Sequence, residues 1–395
     1  MRLRALADFD GDLQGKKVLV RVDFNVPMDG GRVTDDTRIL AHLPLLETLR
    51  SRGAHVALCS HLGRPMGQRK VEHSLLPVSQ RLHELIGLPV HFVSDCIGAD
   101  VLPAIQNSDL VVLENLRFYA EEEKNDKAFA QKLAAPFDLF IMDAFSAAHR
   151  AHASTKAVAD CLPSLAGPLL VREILALSQV RDHPQPPFAL VLGGAKVSDK
   201  IGVIENLLDK VSSIIVGGGM AFTFLQAQGF SIGRSLCEGD KLDFAKAMIE
   251  KAERKGVALL LPEDVVVAAE ISTQTQHRVV SIDEIPADAM GLDIGPVTAS
   301  RYREHLKLAR TVLWNGPMGV FELEPFAEGT RRLCESMEHI TAQGGFTLIG
   351  GGDTAAAINR LGFGDKVSHV STGGGASLEF FEGKMLPGVE PYVIE

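Results

Sequence analysis

Val18-Leu-Val-Arg-Val-Asp-Phe-Asn25 is the stretch that decides the fold, because it is an apolar strand-like run that ends in charged and polar side chains. Similar runs in the first half of the chain also end in arginine or histidine, at residues 56–64, 111–117 and 140–150. Runs in the second half end in glycine clusters instead, at residues 191–196, 215–220, 313–319, 348–354 and 370–375. Ligands of open α/β sheets bind at the carboxyl ends of the strands. The sequence therefore predicts two binding edges, one that grips a small anion with guanidinium groups and one that cradles phosphates with backbone amides.

The alternation of strand-like and amphipathic stretches from Val18 to Phe381 predicts βαβ units and largely parallel sheets. One predicted helix runs from Thr37 to Arg52, where leucine and isoleucine recur every three or four residues until Gly53. A chain of 395 residues is too long for a single core. The expected fold class is α/β, with two doubly wound, mostly parallel-sheet domains separated by a hinged cleft.

A domain boundary is predicted near residues 163–188. Gly167-Pro168 precedes a helical stretch from Leu169 to Val180, and His-Pro-Gln-Pro-Pro at 183–187 blocks further helix before a strand at 188–192. The predicted parts are an N-terminal domain, an interdomain helix and linker, a C-terminal domain, and a tail that packs back towards the N-terminal domain. Their bounds are 1–168, 169–187, 188–382 and 383–395.

The charge, the aromatic content and the cysteine spacing of the chain argue against several classes of protein. The net charge of −10, with three tyrosines and one tryptophan, argues against nucleic-acid binding. The five cysteines show neither a Cys-x-x-Cys pair nor zinc spacing, which favours structural, reduced thiols in the cytoplasm. No apolar run resembles a signal peptide or approaches the ~18 residues of a membrane span. We expect a cytoplasmic protein without a membrane or nucleic-acid partner, and a solvated face for the acidic run Glu121 to Asp126.

The first binding edge is predicted to carry a cluster of basic side chains, namely Arg21, Arg38, His61, Arg64, Arg117, His149, Arg150 and His152. Clustered like charges cost free energy unless an anion neutralises them. Asp23 and Asn25 alternate with Arg21 along the strand, so the Asp23 carboxylate is placed to accept a hydrogen bond from a substrate hydroxyl and to orient the arginines. The edge therefore predicts a hydroxylated, phosphorylated acid as the ligand.

The second edge is predicted to bind a polyphosphate. The glycine clusters at 350–352 and 373–375 open into helical patterns at 355–361 and 376–381, which places helix amino termini beside the phosphates. Lys196 and Lys200 are spaced one helical turn apart, so both ammonium groups are expected to reach the same phosphates.

Asp353 leaves two interpretations open: it helps to hold Mg²⁺ beside the phosphates, or it caps the following helix. His149 and His152 lack the further ligands of a metal site. There is no P-loop. Residues 350–355 match a dinucleotide-binding pattern, but the acidic ribose partner is missing about 20 residues on, so a nicotinamide-dependent dehydrogenase is the weaker alternative. An anion-binding protein without catalysis would leave the glycine-rich edge unexplained.

The chain resembles phosphoglycerate kinases over nearly its whole length. The motifs that carry the resemblance follow in the family's order, at residues 21–27, 61–65, 114–118, 193–200, 217–224, 314–322 and 350–354. The resemblance implies that the N-terminal domain binds 3-phosphoglycerate through Arg21, Asp23, Asn25, Arg38, His61, Arg64, Arg117 and Arg150. One departure is Ser146, where the family usually has glycine, and it puts the local backbone conformation in question.

The resemblance also implies that the C-terminal domain binds ADP or ATP with Mg²⁺, and that the protein is a monomer. The residues expected at the nucleotide are Lys196, Lys200, Gly218, Asn315, Pro317, Gly319, Glu322, Gly350, Gly351, Gly352, Asp353 and Thr354, with Asp353 as the metal ligand.

The implied reaction passes a phosphoryl group between 1,3-bisphosphoglycerate and ADP. In the reverse direction the attacking carboxylate is already ionised at neutral pH, so no general base is needed. The predicted catalytic groups are Arg38, Lys196, Lys200 and the helix start at Gly373, which neutralise the transferring group. Closure of the two domains is expected to align the two ligands for direct in-line transfer.

Overall fold

A computed structural model describes residues 1–394 and divides them into two compact units. Unit 1 comprises Met1–Leu175 together with the segment from Met385 onward, and unit 2 comprises Ala176–Lys384. The division lies inside a helix, Pro168–Asp182, which belongs to the predicted linker region. The predicted domain bounds at 168, 187 and 382 stay predictions.

Unit 1 is built on a six-stranded parallel sheet flanked by helices. The strands are β1 Lys17–Arg21, β2 Met28–Asp29, β3 Arg32–Val33, β4 His55–Cys59, β5 His91–Val93, β6 Leu110–Leu113, β7 Leu139–Met142 and β8 Ser164–Ala166. The helices are α1 Thr37–Ser51, α2 Leu76–Ile86, α3 Val101–Asn107, α4 Ala120–Glu123 and α5 Lys127–Ala134, and α6 Pro168–Asp182 begins in unit 1 and ends in unit 2. The strand order is β5-β6-β4-β1-β7-β8, while β2 and β3 form a small antiparallel hairpin.

Unit 2 contains a second six-stranded parallel sheet. Its strands are β9 Phe188–Leu192, β10 Ser213–Val216, β11 Ala258–Leu260, β12 Asp264–Ala268, β13 His277–Ser281, β14 Met290–Ile294, β15 Thr311–Asn315, β16 Phe346–Gly350 and β17 His369–Val370. Its helices are α7 Ile201–Leu207, α8 Met220–Ala227, α9 Leu242–Arg254, α10 Pro296–Leu306, α11 Glu328–Ala342, α12 Gly352–Arg360 and α13 Gly375–Phe381. The parallel order is β11-β10-β9-β15-β16-β17.

The predicted α/β class with two mostly parallel sheets is confirmed. Strands β1, β4, β6 and β9 are buried along nearly their whole length, since helices cover both faces of such sheets. Unit 2 also contains an antiparallel sheet, β13-β12-β14, which was not predicted from the sequence. Strand β12 is buried at every position, and such a continuous apolar run is typical of parallel strands in the sequence. Strand β13 is an exposed edge strand.

Helix α1 begins at the predicted Thr37 and ends one residue before the predicted Arg52. Its apolar stripe packs into the core of unit 1 through Ile39, Leu46 and Leu49. The helix contains Pro44 and continues through it. The periodic burial of leucines thus outweighs the hydrogen bond that a proline removes.

The segment after Met385 contributes backbone contacts to unit 1. The amide of Arg4 donates to the carbonyl of Tyr392 (2.8 Å), and the amide of Gly388 donates to the carbonyl of Ala148 (2.8 Å). The Tyr392 ring is fully buried. This segment therefore fixes both the first residues of the chain and the loop that follows β7.

The described residues contain no helix that is long and apolar enough to cross a membrane. All five cysteines are free thiols, in agreement with the prediction of reduced cysteines.

Candidate active site

In each parallel sheet the chain first adds strands on one side of the first strand and later adds strands on its other side. In unit 1 this strand is β1, which lies between β4 and β7, and in unit 2 it is β9, which lies between β10 and β15. A crevice opens at the carboxyl ends of the strands at such a point, and this is where α/β proteins bind ligands. The basic residues follow β1, β4 and β7, and glycine clusters follow β9 and β15.

Asp23 lies just after β1 and organises the polar side chains at this crevice. The Arg38 guanidinium contacts its Oδ2 atom (Nη1 to Oδ2, 2.9 Å) and also donates to the carbonyl of Asn25 (2.9 Å). The Asn25 amide oxygen in turn accepts from the backbone of Gly63 after β4 (2.8 Å). The Arg38 side chain stays 40% exposed, so it is braced by protein at one end and open to a ligand.

Ser146 donates its hydroxyl to Oδ2 of Asp23. Among the described non-glycine residues, only Met66 and Asn125 have a positive φ. Ser146 therefore adopts an ordinary backbone conformation. The serine adds a hydroxyl contact to Asp23, and its backbone has a conformation that any residue can adopt.

Arg21 ends β1 and is turned into the protein, and its expected contact with the substrate stays a prediction. It is 0% exposed and donates to the Ser154 hydroxyl (2.9 Å) and to the carbonyl of Val22 (2.5 Å). Its Nη2 atom lies 3.1 Å from Nδ1 of His61. Because a guanidinium only donates, His61 Nδ1 accepts and its Nε2 carries the proton. Arg21 thus orients the His61 ring through the hydrogen bond to its Nδ1 atom.

Glu122 was predicted to lie on a solvated face, and this prediction is wrong, because its side chain is 0% exposed. Its carboxylate accepts from the hydroxyl (2.5 Å) and the backbone amide (2.9 Å) of Ser154, the residue that also accepts from Arg21. Burial raises the pKa of Glu122, and the nearby Arg21 opposes that rise. A buried counter-charge therefore lies under the basic cluster, with Ser154 as the bridge.

The remaining basic side chains differ in exposure and in charge. Arg117 is 4% exposed and donates to the carbonyl of Gly63 (2.9 Å), and burial lowers its pKa to about 10 despite the nearby Glu123. Arg64 is exposed, and Arg150 is half-buried, with its Nε atom 3.2 Å from Nε2 of His149.

Two buried histidines of the cluster are neutral. Burial, followed by the charges of Arg117 and Arg21, lowers the pKa of His152 to about 3. Burial and the same two arginines also hold the pKa of His61 well below its usual value. The arginines alone therefore supply the positive charge of this site, and the carboxylates of Asp23, Glu122 and Glu123 offset part of it.

A second buried chain of contacts was missed at the sequence level. The backbone amide of Asp23 donates to Nε2 of His42 (3.0 Å), so the proton of that ring lies on Nδ1, which faces Oδ2 of Asp143 (2.7 Å). Oδ1 of Asp143 accepts from the amide of Leu169 (2.8 Å) in the first turn of α6. The position of Asp23 is thus linked to the start of α6. His42 lies inside α1, away from any strand end, whereas Asp143 directly follows β7 within the run 140–150 but was not singled out there.

The glycine clusters of unit 2 bring backbone segments into direct contact. Gly316 has a φ of +100°, and a Cβ atom there would lie 2.1 Å from the carbonyl oxygen of Gly193. A Cβ atom on Gly218 would lie 2.6 Å from the backbone nitrogen of Gly194. Only glycine allows these loops to approach so closely. The loops after β9, β10 and β15 therefore form one continuous backbone surface.

A cavity of about 530 Å³ opens on this surface. Predicted nucleotide residues line one part of it, namely Gly218, Pro317, Gly319, Glu322 and Asp353. Another part is apolar, with Phe222, Leu236, Ile271 and Met290. Such a cavity suits a ligand with a flat apolar group at one end and charged groups at the other.

Lys196 and Lys200 lie in a turn before α7, which begins at Ile201. The expectation that they sit one helical turn apart is therefore wrong, because this stretch is not helical. Lys200 is 9% exposed, and burial lowers its pKa while the carboxylates of Asp199 and Asp353 oppose the change. Lys196 is exposed.

Two of the predicted nucleotide residues hold the loops together. The Thr354 hydroxyl accepts from the amide of Gly316 (2.7 Å), and Thr354 is 1% exposed. Asn315 is 3% exposed, and a Cβ atom on Gly351 would lie 3.0 Å from its Nδ2 atom. Gly350 ends β16. These residues shape the backbone surface from below.

Asp353 is an exposed residue in the first turn of α12, which begins at Gly352. The N-cap of α12 is Gly351, and no side chain caps it, so the capping interpretation of Asp353 does not apply. The described residues contain no group of three or more metal-ligating side chains. A single carboxylate beside phosphates nevertheless fits Mg²⁺, which keeps several waters and takes substrate oxygens as ligands.

Helix α13 begins at Gly375, close to the predicted start. The backbone amide of Gly373 donates to the Ser371 hydroxyl (3.1 Å), so this particular amide is already engaged. Gly374 has a φ of +51°, which glycine adopts without strain.

Comparisons with known proteins agree with this arrangement. The family model described as "Phosphoglycerate kinase" matches residues 6–384. The chain belongs to the phosphoglycerate kinase family. It is 53% identical to the phosphoglycerate kinase of Moorella thermoacetica over 96% of this chain and 97% of that protein. It is 52% identical to that of Synechococcus elongatus over 98% of both chains.

Solved phosphoglycerate kinase structures share the fold. The structure from Coxiella burnetii aligns with a TM-score of 0.89 and 42% identity over 99% of this chain and 98% of that one. The structure from Pyrococcus horikoshii aligns with a TM-score of 0.84 and 32% identity over 98% of both chains. The protein is a glycolytic kinase that transfers a phosphoryl group between 1,3-bisphosphoglycerate and ADP, with 3-phosphoglycerate and ATP as the products.

Proposed function

We propose that 3-phosphoglycerate binds to unit 1 at the crevice beside β1. The proposed contacts are Arg21, Asp23, Asn25, Arg38, His61, Arg64, Arg117 and Arg150, and Arg21 also orients His61. The observation that carries this proposal is the group of five arginines at one sheet edge, Arg21, Arg38, Arg64, Arg117 and Arg150, beside the three carboxylates of Asp23, Glu122 and Glu123. Charge-assisted hydrogen bonds of about 1.5–3 kcal/mol each then hold the small polyanion.

The nucleotide is assigned to the cavity of unit 2. Its base and ribose occupy the apolar part, and its phosphates lie along the glycine loops near Lys200 and Asp353. Bound Mg²⁺ would lie at Asp353 and supply charge neutralisation at the phosphates. Lys200 is well suited to phosphate binding because its buried ammonium has no ion-pair partner within hydrogen-bond distance among the described residues and gains most from an anion.

The chemistry consists of alignment and charge neutralisation. The substrate carboxylate attacks in line, and no residue has to remove a proton from it. Arg38 is assigned to the equatorial oxygens of the transferring group, where an arginine contributes about 10³ to 10⁵ in rate. Lys196, Lys200 and the backbone near Gly373 complete this set. The Gly373 amide donates to Ser371 and the Ala376 amide donates to the Gly373 carbonyl, so Gly373 is assigned here as the start of the helix rather than as a single donor.

Transfer requires the reacting atoms to approach to about 3–3.5 Å. Since the two ligands are assigned to different units, we propose that a hinge motion closes the units around both ligands before transfer. We further propose that the protein acts as a monomer in the cytoplasm.

The test is a steady-state assay with 3-phosphoglycerate and MgATP on variants of unit 1. Arg38→Ala is expected to lower kcat by about 10³-fold or more, whereas Arg64→Ala raises KM for the acid. The exposed Arg32→Ala is the matched control. Wild-type turnover in Arg38→Ala together with loss of activity in Arg64→Ala would contradict the assigned roles. A crystal with both ligands in one unit would contradict the closure mechanism.

A further inference from the structure

The acceptor capacity of the Asp23 carboxylate is nearly filled by the protein itself. An ionised carboxylate has about four lone-pair sites. Oδ2 receives Arg38 and the Ser146 hydroxyl, and Oδ1 receives the backbone amide of Asn25 (3.2 Å). Asp23 is only 6% exposed, which limits access by further donors. Roughly one acceptor site remains for a ligand.

Ser146 is the one contact of the three that resembles a ligand. Arg38 contacts Asp23 from the first turn of α1, and the Asn25 amide belongs to a residue two positions along the chain from Asp23. Ser146 reaches Asp23 from the segment after β7, across the point where the sheet reverses. Its hydroxyl is an aliphatic alcohol bonded to a carboxylate, which is the same interaction that Asp23 is proposed to make with the substrate hydroxyl.

We infer that Ser146 is a specificity-determining residue that competes with the substrate hydroxyl for Asp23. This inference rests on the proposed role of Asp23 as the acceptor for that hydroxyl. In the wild-type protein the substrate hydroxyl adds little binding free energy, because it must use the remaining acceptor site of Asp23 or displace Ser146. The enzyme therefore discriminates weakly between 3-phosphoglycerate and the same acid without its hydroxyl, 3-phosphooxypropanoate.

Removal of the Ser146 hydroxyl opens the acceptor site on Oδ2. In Ser146→Ala the substrate hydroxyl then forms a full hydrogen bond to a charged acceptor. We expect the ratio of kcat/KM for 3-phosphoglycerate over 3-phosphooxypropanoate to rise about tenfold. The change should appear in KM for the hydroxy acid and leave KM for MgATP unaltered. Ser146→Thr, which keeps a hydroxyl, should restore the wild-type ratio.

The experiment measures this ratio for the wild type, Ser146→Ala, Ser146→Thr and the exposed control Ser94→Ala, and repeats the comparison by calorimetric binding of both acids. A purely structural role of Ser146 would change both acids alike and leave the ratio constant. An unchanged or lower ratio in Ser146→Ala overturns the inference.

Asp23→Asn separates this inference from the proposal on which it rests. If Asp23 accepts the substrate hydroxyl, Asp23→Asn and the double variant Asp23→Asn with Ser146→Ala should both show a lower ratio of kcat/KM for the two acids than Ser146→Ala alone. If Asp23→Asn leaves the high ratio of Ser146→Ala intact, the role of Asp23 is wrong, and the inference falls with it. If Asp23→Asn lowers the wild-type ratio but Ser146→Ala does not raise it, only the inference about Ser146 is wrong.

Discussion

Glu122 illustrates how one carboxylate makes a basic cluster tolerable in the absence of a ligand. It is buried under the arginines and is bonded twice to Ser154, which in turn holds Arg21. Removal of one partner from a buried charge network leaves the other charges uncompensated and costs about 3–5 kcal/mol. The basic cluster therefore depends on a carboxylate that is itself fully buried.

Glu122→Ala is expected to lower the free energy of unfolding of unit 1 by about 3–5 kcal/mol. The exposed neighbour Glu121→Ala is the matched control and should change it by less than about 0.5 kcal/mol. Urea denaturation followed by circular dichroism measures both. Equal stabilities of the two variants would show that the carboxylate of Glu122 balances no charge.

The neutral histidines predict a pH dependence of stability. The pKa of His152 is about 3 in the folded protein, against 6.5 as its usual value. Below pH 6.5 the unfolded chain binds a proton that the folded protein does not bind. Stability therefore falls as the pH falls through this window, by about 1.4 kcal/mol per pH unit for each such proton.

His152→Gln should flatten this loss, because glutamine takes up no proton in either state. Free energies of unfolding measured between pH 8 and pH 5 give the slope, and His91→Gln, at an exposed position, serves as the control. The same slope in His152→Gln and the wild type would mean that His152 is protonated in the folded protein.

At the scale of elements, glycines in the loops of unit 2 are required for two different reasons, a positive φ and a close contact with another backbone segment. Gly316 and Gly229 have similar φ values, +100° and +95°. A Cβ atom on Gly316 would collide with the backbone of Gly193, whereas nothing lies within 4 Å of a Cβ atom on Gly229. Conformational strain acts at both positions, and steric exclusion acts only at Gly316.

Gly229→Ala should therefore cost about 1–2 kcal/mol through backbone strain alone. Gly316→Ala should cost more than about 3 kcal/mol and weaken nucleotide binding, because the loops after β9 and β15 must separate. Thermal unfolding and nucleotide titration measure the two effects. Equal costs at both positions would show that the close approach of these loops is dispensable.

The sequence predicted elements where one local pattern decides the structure. The apolar run of β9 and the leucine periodicity of α1 are such cases, and both elements were found nearly at the predicted residues. Predictions failed where tertiary contacts decide. The acidic run gives no sign that Glu122 is buried, because its partner Ser154 lies 32 residues away. The spacing of Lys196 and Lys200 resembles a helical turn, but α7 begins only after it.

The sequence predicted which residues gather at the two sheet edges, but it did not predict the burial and contacts of each one. Arg21 and Arg38 look alike in the sequence, and the structure buries one and exposes the other. Exposure depends on which strand-end loops meet at the reversal of the sheet. That information resides in the topology of the whole unit.

At the scale of the whole molecule, unit 1 depends on residues from two distant parts of the chain. Tyr392 is fully buried in unit 1, while Ile394 in the same segment is 48% exposed. Tyr392→Ala should lower the free energy of unfolding of unit 1 by about 3–5 kcal/mol through lost packing. The matched variant Ile394→Ala should have an effect below about 1 kcal/mol.

Circular dichroism in urea follows the loss of structure, and Trp314, which is buried in unit 2, gives a separate fluorescence signal. A transition of Tyr392→Ala that coincides with that of the wild type would show that the segment adds no stability. A shift of equal size in both signals would show that the two units unfold together.

The order of synthesis on the ribosome follows from this discontinuity. All of unit 2 is translated before residues 385–394 emerge, and these residues pair with Arg4 and with Ala148. Ala148 lies between Ser146 and Arg150 in the loop after β7. A nascent chain can therefore fold unit 2 during translation, whereas the loop after β7 gains its contact with Gly388 only once residues 385–394 have been made. Completion of unit 1 is thereby deferred until unit 2 has been translated.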